Sequence, residues 1–384
     1  MKRLLLLGAG HAHVHLLRSL AREPMPGVQV TLVSPWLRQM YSGMVPGWMA
    51  GRYRLEDCAF AVPPLVRTAG VQWLHDRVLA LDANSRQVHL ATNGRIGYDW
   101  LSVDTGSVME GRDLRGAEEH ALRVRPIEDF AQRWTDCVAV ADHGLALTVV
   151  VIGAGAAGVE LALAAAARLA PRGRVVLVTG GPPPLASHPP LARWLALRAL
   201  KRSRITVMRL PCVEVSADHV HLTGSDEGRI DLPCQVAILC TGGEAPRWLP
   251  ESGLLLDDRG YIATRDTLQS VSHPEVLAAG DVASRPDAPH PRSGVYAVRA
   301  GPPLTANLRR LVAGRALERY MPPRRTLNLL ACGDATAIAS WGPLAARGQW
   351  AWRWKNRIDR RFLSQLQQPE ADSGPEPHSG STSF

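Results

Sequence analysis

Leu147-Thr148-Val149-Val150-Val151-Ile152-Gly153-Ala154-Gly155-Ala156-Ala157-Gly158-Val159-Glu160-Leu161 is the stretch whose reading decides the fold. Its β-branched start predicts a buried strand over 147–152, its glycines a tight turn, and its alanine-rich continuation a helix to about Leu169. A strand that turns into a helix at G-x-G-x-x-G makes a pyrophosphate site. The glycines let backbone approach the phosphates, and the helix start offers free N–H groups and the positive end of its dipole. Residues 153–158 match that pattern in full, and a return strand over 174–178 completes a β-α-β unit. By hydropathy alone Leu145 to Ala170 is long enough to cross a bilayer. The change from β-branched to glycine-rich to alanine-rich composition favours strand, turn and helix instead.

Working outward, the chain start repeats the design. A strand over Arg3 to Leu7 meets Gly8-Ala9-Gly10, a helix runs to about Arg22, and a second strand covers Val28 to Val33. His13 takes the third glycine position, so this helix is expected slightly further from its strand. The acidic residue that holds ribose hydroxyls about 20 positions on is absent from both units, where Ser34 and Thr179 stand instead. Ser34 keeps a hydroxyl for a ribose, and Thr179 leaves NADH against NADPH open. Further on come Thr105-Gly106, Thr241-Gly242, Gly280-Asp281 at a strand end, and a helix from about Gly294.

The whole chain has 384 residues, 46% hydrophobic and 21% charged, with 44 basic and 35 acidic residues and a net charge of +9. That profile fits a soluble globular chain and excludes a disordered chain, a fibrous repeat and a multi-span membrane protein. Only Lys2, Lys201 and Lys355 are lysines, and the arginines are spread along the chain with no accompanying motif, so no nucleic acid is expected. The six cysteines form no C-x-x-C and no metal-ligand spacing, which suits free thiols in a reducing cytoplasm. His11, His13 and His15 have no carboxylate or cysteine close by in sequence, so no metal is expected there. The apolar run Leu4 to Leu7 ends at Gly8, too short for a signal peptide.

The ordered set of motifs over residues 1–325 resembles the pyridine nucleotide–disulfide oxidoreductase superfamily of flavoproteins. The resemblance implies an α/β fold of two Rossmann-like dinucleotide-binding domains. An FAD domain (1–115 and 261–325) would be split around an inserted NAD(P)H domain (116–260), followed by a small C-terminal region (326–368) and a disordered tail (369–384). FAD is expected on Gly8, Gly10, His11, Ser34, Thr105, Gly106, Gly280 and Asp281, and NAD(P)H on Gly153, Gly155, Gly158 and Glu160. NAD(P)H would reduce FAD, which would then pass electrons to a small-molecule acceptor such as a quinone, as in the similar type II NADH dehydrogenases. Those enzymes carry a glutamine-rich segment before the glycine equivalent to Gly301, and none is present here. Two alternatives stay open. One is a sulfide:quinone oxidoreductase-like enzyme using Cys137 and Cys332. The other is a regulatory flavin module in selenium metabolism. Gly10-His11-Ala12-His13, Tyr41 to Gly47, Val295 to Leu304 and Trp354 to Phe362 resemble the flavoprotein module fused ahead of selenide, water dikinase.

Trp350, Trp354, Ile358, Phe362 and Leu366 recur every fourth residue, with Arg353, Lys355, Arg357, Arg360 and Arg361 on the remaining faces. This predicts a basic amphipathic helix over 350–366. It fits either a peripheral contact with the inner face of a membrane or docking on the protein's own body.

Overall fold

The structure, a computed structural model, describes residues 1–224 and 228–367. The tail expected at 369–384 lies outside them.

Two parallel five-stranded sheets form the frame. The first runs in the order Val276–Ala278, Trp100–Val103, Lys2–Leu7, Val28–Val33, Gln72–Leu74. The second runs Ala121–Arg123, Val236–Leu239, Thr148–Ile152, Arg174–Val178, Thr206–Met208. The two orders agree in four strands and differ in the fifth, which is the last in the chain for the first sheet and the first for the second. In each, the strand entering the glycine turn is central, with the strand after the helix on one side and the strand leading to Thr-Gly on the other. The first sheet takes its last strand from beyond the second, so one unit is inserted in the other.

The central strands are apolar over Leu4 to Leu7 and Val149 to Ile152, as in sheets covered on both faces. Leu4 to Leu7 are at most 2% exposed, and Val149 to Val151 are fully buried. Leu4 lies beside Val30 in register, and Val150 beside both Val176 and Ala237. Each unit also carries a three-stranded antiparallel meander, at 78–97 and 212–233.

A third meander, Asn328–Ala331, Ala337–Trp341 and Leu344–Gly348, leads into the Gln349–Gln367 helix. That helix packs on the middle strand of the meander through Ala351 and Trp352. The face it buries is that of Ala351, Lys355, Asp359 and Leu363, not the apolar stripe read from the sequence. Lys355, expected among the solvent-facing basic residues, is buried and bonded to Asp359, also buried, at 2.7 Å. Trp350, Trp354 and Ile358 point outward, at 51%, 44% and 41% exposure, so the helix is docked while the first part of its stripe stays open.

Candidate functional site

In the second unit the glycines divide by what they accommodate. At Gly153 (φ +107°) an added Cβ would stand 2.3 Å from the Cys240 carbonyl oxygen, and at Gly158 only 1.9 Å from the Gly153 oxygen. Both are required by packing. Gly155 is different. Its backbone is extended (φ −68°, ψ −174°), and a Cβ there would meet nothing within 4 Å. The space in front of the Ala156–Leu169 helix start is open, as an approaching phosphate needs. At the end of the neighbouring strand Thr179 holds a buried hydroxyl with no partner. An unsatisfied buried hydroxyl is costly unless a ligand completes it.

The first unit leaves the same signature. Ser34 is 1% exposed, and its Oγ has no partner. Thr105 Oγ1 and His11 Nε2 are also buried and unpartnered. Burial brings the His11 pKa down to about 4, so its imidazole is neutral at pH 7. His13 fills the helix–strand space that a glycine would leave empty. Its Nδ1–H donates to the Gly8 carbonyl at 2.6 Å, which leaves Nε2 to accept from the Ser102 hydroxyl at 2.7 Å.

Gly280 (φ +73°) begins a single turn that presents Asp281, and the Gly294–Val312 helix packs its first turn against it. A cavity of about 280 Å³ is lined by Gly280 and Asp281 together with Arg292, Tyr296 and Tyr320. Asp281 accepts a hydrogen bond from Arg125 Nη1 at 2.8 Å, and the same nitrogen donates to Ser107 Oγ at 2.5 Å.

The two Thr-Gly strand ends meet along one seam. Val108 and Glu244 exchange backbone hydrogen bonds at 2.9 and 2.8 Å, and Tyr261 donates to the Gly243 oxygen at 2.6 Å. Thr105-Gly106 and Thr241-Gly242 therefore lie beside one another, and Cβ atoms at Gly106 and Gly242 would meet open space. The two cradles open toward a common seam, with Arg125 reaching across it.

Glu160, expected on the nicotinamide nucleotide, accepts the Ala331 N–H of the C-terminal meander at 2.7 Å. Burial pushes its pKa up to about 7, opposed by the charge of Lys355 and by the Ala331 hydrogen bond. Lys355 in turn donates to the Gly43 carbonyl at 2.5 Å. Tyr41 lies with its ring 4.8 Å from Phe362 and 5.5 Å from His11, so the C-terminal helix reaches the first cradle.

Sequence reasoning missed Arg125 and Asp104. Arg125 carries no local signal, because its partners lie 18 and 156 positions away. Asp104 could have been noticed as an acidic residue directly before Thr105-Gly106, where the second unit has Cys240.

A sequence model of the pyridine nucleotide-disulphide oxidoreductase family matches residues 2–301. Over 326 residues the chain is 28% identical to an alternative NAD(P)H-ubiquinone oxidoreductase C1 (chloroplastic/mitochondrial) of Arabidopsis thaliana, covering 74% of this chain. It spans 62% of that relative's length. The sulfide:quinone oxidoreductase of Aquifex aeolicus superposes with a TM-score of 0.80 at 15% identity, covering 96% of this chain and 92% of that one. NDH2 of Plasmodium falciparum, solved with NADH, superposes with a TM-score of 0.78 at 12% identity, covering 96% and 99%. These two structures share the fold.

Proposed function

Because the chain belongs to the pyridine nucleotide-disulphide oxidoreductase family, we propose that it transfers a hydride from NAD(P)H to FAD and passes the electrons to a quinone. The observation that carries this reading is the pair of dinucleotide cradles opening on one seam, each with a buried hydroxyl left for a ligand. The residues fit the two nucleotides. Ser34, Thr105, His11 and Asp281 line the cradle assigned to FAD, and Gly153, Gly155 and Thr179 the one assigned to NAD(P)H. When bound, the flavin supplies the two-electron chemistry, so no protein nucleophile is needed.

The chain's own groups position and polarise. The start of the Ala156–Leu169 helix would present N–H donors to phosphate oxygens, and the start of the His11–Arg22 helix would draw them by the positive end of its dipole, its Ala12 and His13 N–H groups being held by Asp104. Asp281, held by Arg125, would accept hydrogen bonds from the ribityl hydroxyls of a bound flavin, and the start of the Gly294–Val312 helix would favour negative charge beside it. A quinone as acceptor is supported by the ubiquinone for which the plant relative is named. Gly294-Val295 and Arg299-Ala300 stand where quinone-reducing dehydrogenases carry glutamines, so a quinone would be held here without them. The test is steady-state NAD(P)H oxidation with soluble quinones. Turnover is expected, and FAD-loaded protein that NADH and NADPH reduce but no quinone reoxidises would refute the acceptor.

Asp281→Ala should weaken FAD binding by about tenfold to a hundredfold, the equivalent of roughly 1.5–3 kcal/mol for a charge-assisted hydrogen bond. Flavin fluorescence quenching on titration with FAD measures it. Wild-type affinity in the variant would remove Asp281 from the site.

The outward face of the Gln349–Gln367 helix supports a peripheral membrane contact within the same reading. Among the described residues no helix is long and apolar enough to cross a membrane. Trp350, Trp354 and Ile358 are exposed beside Arg353, Arg357 and Arg361, the composition of a helix lying in an anionic interface. Each engaged arginine contributes about 1 kcal/mol near an anionic surface. Co-sedimentation with anionic vesicles at low salt should be reversed by salt and fall about tenfold or more when Trp350, Trp354 and Ile358 become serine. Equal sedimentation of the variant would remove this face from the contact.

A further inference from the structure

The first cradle contains an acidic group that its glycine pattern does not require. Asp104 directly follows the Trp100–Val103 strand and is 2% exposed. Its Oδ2 accepts the backbone N–H groups of Ala12 at 2.8 Å and His13 at 2.9 Å. Those are first-turn donors of the His11–Arg22 helix, the end to which a bound phosphate is drawn. Its Oδ1 stands 2.5 Å from where a Cβ would sit on Gly10, and equally close to one on Gly280. The two glycines that mark the cofactor cradle are thus kept bare on one side by this carboxyl group. The second unit has Cys240 at the corresponding strand end, and Gly155 there faces open space.

The charges around Asp104 offer it no cation of its own. Asp281 repels it, and the Arg125 guanidinium is engaged by Asp281. His11 and His13 are both neutral imidazoles at pH 7, each lowered to about 4 by burial. A carboxylate in this position would face the dianionic pyrophosphate across the same helix end. A carboxylic acid would keep the Ala12 and His13 hydrogen bonds without the repulsion.

Resting on the FAD reading above, we propose that Asp104 sets the affinity of the first cradle and holds a proton when the dinucleotide is bound, so that FAD binding takes up one proton. Burial and the Asp281 charge already push the free carboxyl up to about 8. A bound pyrophosphate raises it further. The acid form is the binding form, so affinity is complete below that value and is lost as pH rises through it.

The test is calorimetric titration of full-length, flavin-free protein with FAD between pH 6.5 and 9, in buffers of different ionisation enthalpy. Expected for the wild type is binding about tenfold weaker at pH 9 than at pH 6.5, with close to one proton taken up at the upper end. Asp104→Asn should bind FAD with an affinity that does not change over this range and with no proton uptake. Wild-type binding with no pH dependence and no uptake would overturn the role of Asp104 and leave the flavin reading standing. No FAD binding at any pH, by either protein, would overturn both. The wild-type proton count stands by itself if the variant does not fold.

Discussion

Gly155→Val will fold normally and keep its flavin, while NAD(P)H reduces that flavin at least about a hundredfold less effectively. The separation follows from the geometry of one residue. Gly155 has extended backbone, which valine adopts readily, and its Cβ position is empty to 4 Å. No protein atom contacts the first carbon of the larger side chain. The space it would fill is the approach to the first N–H groups of the Ala156–Leu169 helix, where charge-assisted hydrogen bonds to a pyrophosphate are worth roughly 1.5–3 kcal/mol each. Losing contact with two of them gives the expected factor or more. The measurement is rapid-mixing reduction of the bound flavin over a range of NADH and NADPH concentrations, with thermal unfolding alongside. Unchanged reduction in a folded variant would move the nicotinamide nucleotide away from this turn. Loss of FAD with unchanged NAD(P)H kinetics would exchange the two cradles.

Lys355→Ala should lower stability by about 3–5 kcal/mol, the range for leaving a buried ion pair without one partner. Lys355 is 6% exposed and bonds Asp359, itself 4% exposed, together with the Gly43 carbonyl. Its charge also opposes the rise of the Glu160 pKa. The deficit should depend on pH in a definite direction. A carboxyl whose folded value lies above its unfolded one destabilises the fold once pH exceeds the unfolded value, and the loss grows until pH passes the folded one. For Glu160 that window opens near 4.5 and reaches about 7 in the wild type, and removing Lys355 extends it upward. Denaturant unfolding at pH 5 and pH 8 should therefore show the larger deficit at pH 8. A deficit below 1 kcal/mol, or one equal at both values, would mean that Lys355 does not compensate these carboxyl groups.

What the sequence made legible was local. Two glycine turns, each between a β-branched or leucine-rich strand and an apolar helix, are contiguous signals, and both units appear where those signals place them. Gly280-Asp281 and the Thr-Gly strand ends were readable for the same reason. What was not legible involves groups whose partners come from far along the chain. Glu160 sits one turn inside its helix, and whether it faces a ligand or the C-terminal meander is decided by Ala331, 171 residues away. Lys355 falls on a helix whose spacing shows an apolar stripe, but which face docks depends on Gly43, 312 residues earlier. Asp104 stood in plain view beside Thr105-Gly106. Its meaning appears only when the strand is placed against the first turn of a helix more than 80 residues upstream.

The proposed function joins the two cradles in a single reaction, hydride transfer across the seam where Thr105-Gly106 and Thr241-Gly242 lie together. Anaerobic titration of the purified, FAD-loaded protein with NADH or NADPH, followed by visible absorption, tests it most directly. The structure predicts that about one equivalent of reduced nucleotide bleaches the flavin bands and that an added quinone restores them. Flavin bands that stay unchanged in excess NADH and NADPH, in folded protein, would contradict it.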